Sequence, residues 1–307
     1  MRPTEPVGVL LMAYGTPRDL GEVEAYFTHI RRGRRPSDEE LEELRERYRR
    51  IGGTSPLRAV TEAQAASLQT ALDRRAAGRF RVYLAMKHAD PFIPDVTRRM
   101  LRDGVQEVVA LVLAPHESRM ILDEYLEYAA PVLAEHPGVR LSPVRTWHLN
   151  PGYLAALEGR IRKALGELAG PPAVIFTAHS LPKRILEWND PYPDRLRETC
   201  EALAARLRLP RWWFAYQSAG HGTIPWLGPD ILEVLPEVRA EGARAVLVTP
   251  IGFVADNLEI LYDLDIEAAE RARELGLAFR RTESLNADET LIEGLADEVE
   301  RAVGMRA

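Results

Sequence analysis

Residues 173–217, AVIFTAHSLPKRILEWNDPYPDRLRETCEALAARLRLPRWWFAYQ, contain the pattern that decides the fold. The segment opens with the apolar run Ala173–Thr177 and closes with a second one, Trp212–Gln217. Between them, Asp194–Leu207 is rich in Leu, Ala, Glu and Arg, a composition typical of an amphipathic helix. A strand, a helix and a second strand in this order predict a βαβ unit, and hence a parallel sheet.

Six further apolar runs have the length and composition of buried parallel strands. They are Val7–Met12, Arg81–Met86, Val108–Leu113, Val139–Val144, Ala245–Pro250 and Leu277–Arg281. Helix-like stretches accompany them, among them Thr61–Arg75, Tyr153–Leu168 and Asp288–Val303. The sequence therefore predicts an α/β protein with eight strands.

The predicted strands fall into two similar groups of four. The later strands follow one another at similar spacing in both groups, but the interval from first to second strand runs from residue 7 to 81 in one and from 173 to 212 in the other. The first half therefore carries an insertion at about residues 19–61. We expect two similar Rossmann-like domains, 1–150 and 151–285, each with a four-stranded parallel sheet flanked by helices. A C-terminal helix within 286–307 can pack on the first domain.

Composition excludes several classes of protein. Of the 307 residues, 46% are hydrophobic and 28% are charged, which is typical of a globular chain and not of a disordered or collagen-like one. The formal net charge of −6 argues against general nucleic-acid binding. Cys200 is the only cysteine, so an internal disulfide and an all-cysteine zinc or iron–sulfur site are excluded. With no signal-peptide pattern and no run of about 18 apolar residues, we expect a cytoplasmic protein without a transmembrane segment.

Histidines follow several predicted strands, at the edge where open α/β sheets bind ligands. His88, His116 and His179 each stand just past a strand end. A neutral imidazole at such a place can bind a metal or accept a proton near neutral pH. A histidine that only hydrogen-bonds the backbone of its loop is the simpler interpretation, and the residues alone leave both open.

The loop after the seventh strand leads into an acidic segment, DNLEILYDLDIE, at residues 256–267. In an α-helix, four of its carboxylates would lie within roughly 80° of one face: Asp256, Glu259, Asp263 and Glu267. Carboxylates at this spacing repel each other, and binding of hydrated cations is one reason to keep them. A capping box at the start of the helix is the structural alternative.

The inserted segment is basic within an acidic chain. Arg31, Arg32, Arg45 and Arg47 are among its arginines. The planar guanidinium suits a ligand that carries several carboxylates. The alternative is a solvated helix face, because glutamates within residues 39–46 balance the positive charge.

Eight short motifs occur in order along most of the chain. They are MAYGTP (12–17), HIRRG (29–33), GGTSPL (52–57), APH (114–116), AHSLP (178–182), QS (217–218), PWLGP (225–229) and GFVADNLE (252–259). Together they resemble the ferrochelatase family. The short form, without a cysteine-bearing C-terminal extension, is similar to the enzymes of Gram-positive-type bacteria.

The resemblance implies two Rossmann-like domains that face each other across a porphyrin cleft. It makes His179 and Glu259 the catalytic and metal-binding pair, with Asp263 and Glu267 as an outer path for hydrated cations. It implies that Tyr14 reaches the iron axially from the other side of the macrocycle. The remaining family positions are a cleft histidine without a settled role, His88, and the porphyrin contacts Arg31, Arg47, Tyr48, Ser55 and Tyr125.

The implied reaction is insertion of Fe(II) into coproporphyrin III, with release of the two pyrrole protons. Fe(II) would be a substrate, and we expect no resident cofactor, no iron–sulfur cluster and no nucleic-acid partner. We expect a monomer that makes transient contacts with neighbouring haem-pathway enzymes. The alternatives are a ferrochelatase for protoporphyrin IX and a porphyrin or haem carrier without catalysis. Many family members carry histidine where this chain has Asn257, and an amide is a weaker ligand for Fe(II) than imidazole.

Overall fold

The computed structural model describes residues 6–168, 170–220 and 223–305, and the chain divides into two compact units. The first unit contains the chain up to Pro115, Arg119–Trp147 and the C-terminal segment from Asn286. The second contains His116–Ser118 and His148–Leu285. The boundary between residues 147 and 148 lies slightly before the expected 150 and 151.

Four parallel strands form the sheet of the first unit. They are β1 (Val7–Ala13), β2 (Phe80–Met86), β3 (Glu107–Val112) and β4 (Arg140–Val144), in the spatial order β2-β1-β3-β4. Every residue of β1 is buried, as a central strand covered on both faces should be. Leu10 of β1 pairs with Tyr83 on one side and with Ala110 on the other.

The second unit repeats this arrangement. Its strands are β5 (Ala173–His179), β6 (Trp213–Gln217), β7 (Ala245–Pro250) and β8 (Ala278–Arg281), in the spatial order β6-β5-β7-β8. In each unit the first strand is central, with the second strand on one side and the third on the other. The predicted fold class, two similar Rossmann-like domains with four-stranded parallel sheets, is confirmed, and all eight predicted strands are present within two residues of their expected bounds.

Ten α-helices connect or flank the strands in the described residues. They are α1 (Val23–Ile30), α2 (Asp38–Arg50), α3 (Leu57–Arg75), α4 (Ile93–Arg102), α5 (Glu124–Ala134), α6 (Pro151–Gly166), α7 (Tyr192–Leu207), α8 (Ile231–Ala240), α9 (Ala269–Glu274) and α10 (Glu289–Ala302). Lys183–Trp188 forms a 3-10 helix, and Arg119–Asp123 and Ile260–Ala268 are π-helical. Within the same residues, no helix combines the length and the apolar composition needed to cross a bilayer.

The insertion predicted at about residues 19–61 contains α1, α2 and the start of α3. Its expected end falls inside α3, which begins at Leu57 and is the crossover helix between β1 and β2. Helix α2 begins with a capping box, in which Ser37 and Glu40 each bond the backbone of the other. The insertion is therefore a helical addition ahead of an ordinary βαβ crossover.

The C-terminal helix α10 packs on α3 and belongs to the first unit. Arg75, the last residue of α3, donates to Asp297 at 2.7 Å and to Glu300 at 3.0 Å, and it also pairs with Glu293. The Arg75 side chain is only 18% exposed, so these ion pairs are partly shielded from water. Residues 306 and 307 of the segment expected to form this helix lie outside the described residues.

Candidate functional site

The order of strands reverses beside the central strand of each unit, and ligands of α/β sheets bind at such switch points. Tyr14 directly follows the central strand β1, and His179 is the last residue of the central strand β5. Tyr14 is 41% exposed, and 30% of the His179 side chain is exposed. Each unit therefore presents, at the equivalent point of its sheet, a ring that the sequence had selected as functional.

His179 and Glu259 form a pair in the second unit. Nε2 of His179 lies 3.3 Å from Oε1 of Glu259. Nδ1 of the ring hydrogen-bonds the carbonyl oxygen of Ser180, which can only accept, so Nδ1 carries a proton and Nε2 faces the carboxylate. The Tyr192 hydroxyl donates to the carbonyl oxygen of His179 at 2.9 Å. Sequence analysis selected the pair but missed the Tyr192 anchor, which no motif marks.

The charge of Glu259 changes the protonation of His179. Burial by itself lowers the pKa of the ring, but the Glu259 carboxylate, the Ser180 carbonyl and the charge of Asp263 outweigh it and raise the pKa to about 9. The ring is therefore an imidazolium at neutral pH in the metal-free protein. Binding of a metal ion through Nε2 would therefore require the ring to release its proton.

Asp263 lies behind this pair in a chain of hydrogen bonds. It is 6% exposed, and its carboxylate accepts from the hydroxyl of Ser218. Ser218 follows β6 with a φ of +61°, a left-handed conformation that is uncommon for a residue other than glycine. The Gln217 amide donates to the Ser218 hydroxyl at 3.4 Å and accepts from Thr177 at 2.8 Å. The Gln217-Ser218 motif therefore links β5 to Asp263, a role that the sequence did not reveal.

The acidic segment forms mainly a π-helix and not the α-helix whose geometry was considered from its spacing. Ile260–Ala268 is a π-helix, in which the backbone hydrogen bonds span five residues instead of four. Asp256 precedes the helical segment, and its carboxylate accepts from the Ser284 hydroxyl at 2.6 Å. Asp256 therefore lies outside the helix and does not share a helical face with the other three carboxylates. Asp263 and the half-buried Glu267 remain on the helix, four residues apart.

Asn257 begins this helical segment. Its side-chain oxygen accepts from the backbone N–H of Ile260 at 2.8 Å, which is the bond of an N-cap residue. Aspartate and asparagine are both strong N-caps, whereas histidine is not among the preferred ones. The side-chain amide of Asn257 thus has a structural function in this chain.

Two aromatic side chains stand beside His179. The ring centroids of Phe253 and Trp226 lie 6.2 Å and 6.5 Å from that of His179. Phe253 follows Gly252, where a Cβ atom would lie 2.8 Å from the Cβ atom of Ala178. Only glycine lets the loop after β7 approach the end of β5 this closely. The second unit thus places two aromatic rings beside His179.

In the first unit, Tyr14 packs against a pair of histidines. Its ring centroid lies 4.6 Å from that of His88, and Nδ1 of His88 hydrogen-bonds Nδ1 of His29 at 2.9 Å. Burial, the charge of Lys87 and the neighbouring His29 lower the pKa of His88 to about 3. His88 is thus a neutral ring at physiological pH that supports Tyr14. Its partner His29 was noted in the sequence only as part of a motif.

Lys87 joins two of the predicted porphyrin contacts. Its ammonium lies 5.9 Å from the ring centroid of Tyr14 and 5.0 Å from that of Tyr125, within cation–π range of both. The same ammonium donates to Glu124 at 2.6 Å, and the Lys87 side chain is 7% exposed. Sequence analysis missed Lys87 and Glu124, although Lys87 stands at the strand end next to the selected His88.

Two of the predicted porphyrin contacts, Tyr48 and Ser55, are buried and hydrogen-bonded within the protein. Tyr48 is 2% exposed, and its hydroxyl hydrogen-bonds that of Thr16 at 3.1 Å. Ser55 is 8% exposed and accepts from the backbone N–H of Leu57 at 3.3 Å, at the start of α3. Both side chains are buried, and the contact with porphyrin that the resemblance implies for them stays a prediction.

The predicted carboxylate-binding arginines lie on and after the inserted helices. Arg31, just after α1, pairs with Glu40 of α2 at 2.5 Å, and Arg47 is half-buried on α2. Arg35 likewise pairs with Glu24 at 2.7 Å. Glutamates of the segment thus neutralise part of its positive charge, as the alternative interpretation of the sequence required.

Within the described part of the chain, no three histidine, cysteine, aspartate or glutamate side chains come together in a group able to hold a metal ion. The His179–Glu259 pair is instead a two-residue site at a strand end. A family profile for ferrochelatase matches residues 6–303. The chain belongs to the ferrochelatase family. It is therefore a metal chelatase, a lyase of haem biosynthesis whose family binds porphyrin and iron.

Relatives of this family member match almost its whole length. The ferrochelatase of Thermus thermophilus is 45% identical over 96% of this chain and 99% of its own. The ferrochelatase of Herpetosiphon aurantiacus is 42% identical over 93% and 95%. The coproporphyrin III ferrochelatase of Listeria innocua is 38% identical over 95% and 96%.

Solved structures of other chelatases share the fold. SirB from Bacillus subtilis with Fe3+ aligns with a TM-score of 0.64 at 11% identity, over 97% of this chain and 96% of SirB. CbiX, described as the terminal enzyme of sirohaem biosynthesis in denitrifying bacteria, aligns with a TM-score of 0.56 at 16% identity, over 96% and 99%. At such identities the likeness establishes the fold alone.

Proposed function

We propose that this family member inserts Fe(II) into coproporphyrin III and yields Fe-coproporphyrin III, or coprohaem. The observation that carries the proposal is the His179–Glu259 pair, whose nitrogen and oxygen lie 3.3 Å apart at the ligand-binding edge of the second sheet. Support for the substrate comes from relatives at 38–40% identity that carry coproporphyrin III in their names.

A site with two protein ligands suits a metal ion that must be transferred to the porphyrin. Imidazole and carboxylate both bind Fe(II), and two ligands leave coordination positions for water and for pyrrole nitrogens. Because His179 is protonated in the metal-free protein, arriving Fe(II) would displace its proton. In the proposal Glu259 neutralises the cation and accepts protons, while Asp263 and Glu267 form the outer path for hydrated cations.

The first unit would hold the macrocycle. Tyr14, exposed after β1, would reach the iron axially, and Arg31 and Arg47 would bind propionates. Arg31 must then exchange Glu40 for a propionate, which costs little because exposed ion pairs are weak. Coproporphyrin III has four propionates and protoporphyrin IX has two, so an arginine-rich segment favours the former.

Three of the predicted porphyrin contacts would act from beneath the binding surface. Tyr125 is 5% exposed and meets the ammonium of Lys87, which also lies over Tyr14. Ser55 holds the start of α3, and Tyr48 bonds Thr16 in the loop after Tyr14. We propose that these residues position the surface that contacts the porphyrin.

The test is anaerobic Fe(II) insertion, followed by absorbance, with coproporphyrin III and protoporphyrin IX side by side. We expect faster turnover of coproporphyrin III. His179→Ala and Glu259→Gln should each abolish insertion while the porphyrin still binds. Wild-type rates in both variants would overturn the residue assignments, and binding without turnover by the wild type would indicate a carrier.

Protoporphyrin IX is the second candidate substrate. The relatives from Thermus and Herpetosiphon, at 45% and 42% identity, are named ferrochelatase without a porphyrin. Preference for protoporphyrin IX in the same assay would keep the mechanism and change the product to protohaem.

The proposal also includes a cytoplasmic monomer without a resident cofactor or iron–sulfur cluster, which contacts neighbouring haem-pathway enzymes only transiently. Metal and sulfide analysis of the purified protein and sedimentation velocity test the cofactor and the oligomeric state. Bound iron with sulfide, or a stable dimer, would contradict these parts.

A further inference from the structure

Arg281, the last residue of β8, makes four hydrogen bonds and a further ion-pair contact through its guanidinium. Nε and one terminal nitrogen donate to the two carboxylate oxygens of Asp265, at 2.7 and 2.8 Å. The same terminal nitrogen lies 3.3 Å from Asp256. The other terminal nitrogen donates to the Thr282 carbonyl at 2.9 Å and to the Ser284 hydroxyl at 3.2 Å.

The two carboxylates held by Arg281 stand on either side of Glu259 along the chain. Asp256 lies in the loop that leads into the helical segment, and Asp265 lies inside the π-helix Ile260–Ala268. The Arg281 side chain is 12% exposed, so its ion pairs are shielded from water. The guanidinium of Arg281 thus connects the loop before Glu259 and the helix after it to the end of β8.

Contacts from two strand ends hold the π-helix Ile260–Ala268. Long π-helical stretches are rare, and short ones occur frequently at functional sites. A second anchor holds the same segment, because the Ser218 hydroxyl bonds the carboxylate of Asp263. Asp263 is therefore held by a residue that follows β6, and Asp265 by the last residue of β8. Two separate strand ends thus restrain the same π-helix.

We propose that Arg281 is a positioning residue for metal insertion. It fixes the π-helix so that the Glu259 carboxylate stays within 3.3 Å of His179 Nε2. Lysine cannot replace it, because a single ammonium cannot hold both oxygens of Asp265 and reach Asp256 at once. The inference rests on the proposed role of the His179–Glu259 pair.

The test compares Arg281→Met and Arg281→Lys with the wild type and with Arg280→Gln. Arg280 is the matched control, because it is adjacent on β8 and its side chain, 43% exposed, pairs at the surface with Glu167. Two quantities are measured for each protein: the Kd for Co(II) alone, from its visible absorption, and the apparent KM for Fe(II) at saturating coproporphyrin III. His179→Ala shows which part of the Co(II) absorption belongs to the pair.

Loss of a residue that orients metal ligands typically costs 10–100-fold in metal affinity. We expect both Arg281 variants to raise the Kd for Co(II) and the KM for Fe(II) by about tenfold or more, with Arg281→Lys the milder, and to leave the Kd for coproporphyrin III within about twofold. Arg280→Gln should behave as wild type.

A merely structural role would reduce the folded fraction, and hence kcat, without changing the affinity of the folded protein for metal. Unchanged Co(II) affinity in folded Arg281→Lys would therefore overturn the inference. A wild type that binds Co(II) at the pair but inserts no iron would instead overturn the proposed function, and the Co(II) titration would still decide the role of Arg281.

Discussion

Replacing Glu259 by glutamine tests the electrostatics of the candidate site without any assumption about its substrate. Glutamine keeps the size of the side chain and removes the charge that faces His179 across 3.3 Å. Raising the pKa of His179 from 6.5 to about 9 corresponds to about 3 kcal/mol in favour of the imidazolium. Burial opposes this shift, so the favourable interactions together exceed that figure.

Without the carboxylate, the Ser180 carbonyl and the charge of Asp263 still oppose burial. We therefore expect the pKa of His179 to be lower in Glu259→Gln than in the wild type, because the two largest contributions that raise it both come from Glu259. The assay is an NMR titration of the histidine rings in the metal-free protein, with the His179 signal assigned from His179→Asn.

The matched control is Glu198→Gln, which removes the partner of His148, 2.5 Å away, in the same unit. It should leave the pKa of His179 unchanged. A wild-type pKa near 6.5 for His179, or the same pKa in Glu259→Gln as in the wild type, would refute the reasoning.

The same coupling predicts the pH dependence of stability. Because the pKa of His179 is raised on folding, the pair stabilises the folded protein fully below pH 6.5, and this contribution is lost as the pH rises through about 9. Relative to Glu259→Gln, the free energy of unfolding of the wild type should fall by up to about 3 kcal/mol between about pH 6 and pH 10. Denaturant titrations at a series of pH values measure this difference, and parallel curves would contradict it.

Three further predictions concern other parts of the molecule. Burial disfavours the charged form of His88 and lowers its pKa to about 3. An NMR titration should therefore show no protonation of this ring down to about pH 5. Protonation near the ordinary pKa of histidine would disprove this. Arg75→Met removes the ion pairs that Arg75 makes with α10 and should lower the free energy of unfolding in urea by about 1–3 kcal/mol, because these charge-assisted hydrogen bonds are partly shielded from water; a loss near zero would mean that these pairs do not hold α10. Gly252→Ala places a Cβ atom 2.8 Å from the Cβ atom of Ala178, so the strand end that carries His179 must shift. We expect the free energy of unfolding to fall by about 1–3 kcal/mol and Co(II) binding to weaken. Unchanged stability and metal affinity would show that the loop after β7 moves instead.

The strands and the doubling of the fold were predictable because parallel strands buried on both faces must be continuously apolar. Val7–Met12 and Ala173–Thr177 satisfy this requirement, and both became central strands. Local patterns also sufficed to place His179 at the ligand-binding edge, since strand ends follow directly from strand positions. The resemblance to the ferrochelatase family could be recognised because eight short motifs occur in order along the chain.

Only the tertiary structure decided how the acidic segment is arranged. Its spacing fits an α-helix, but Ile260–Ala268 is a π-helix, and Arg281 and Ser218 hold it from two different strand ends. The burial of Tyr48 against Thr16 likewise joins residues far apart in the chain. Periodicity reports which residues share a face of one element, whereas these contacts depend on which elements are neighbours in the fold, so no local pattern specifies them.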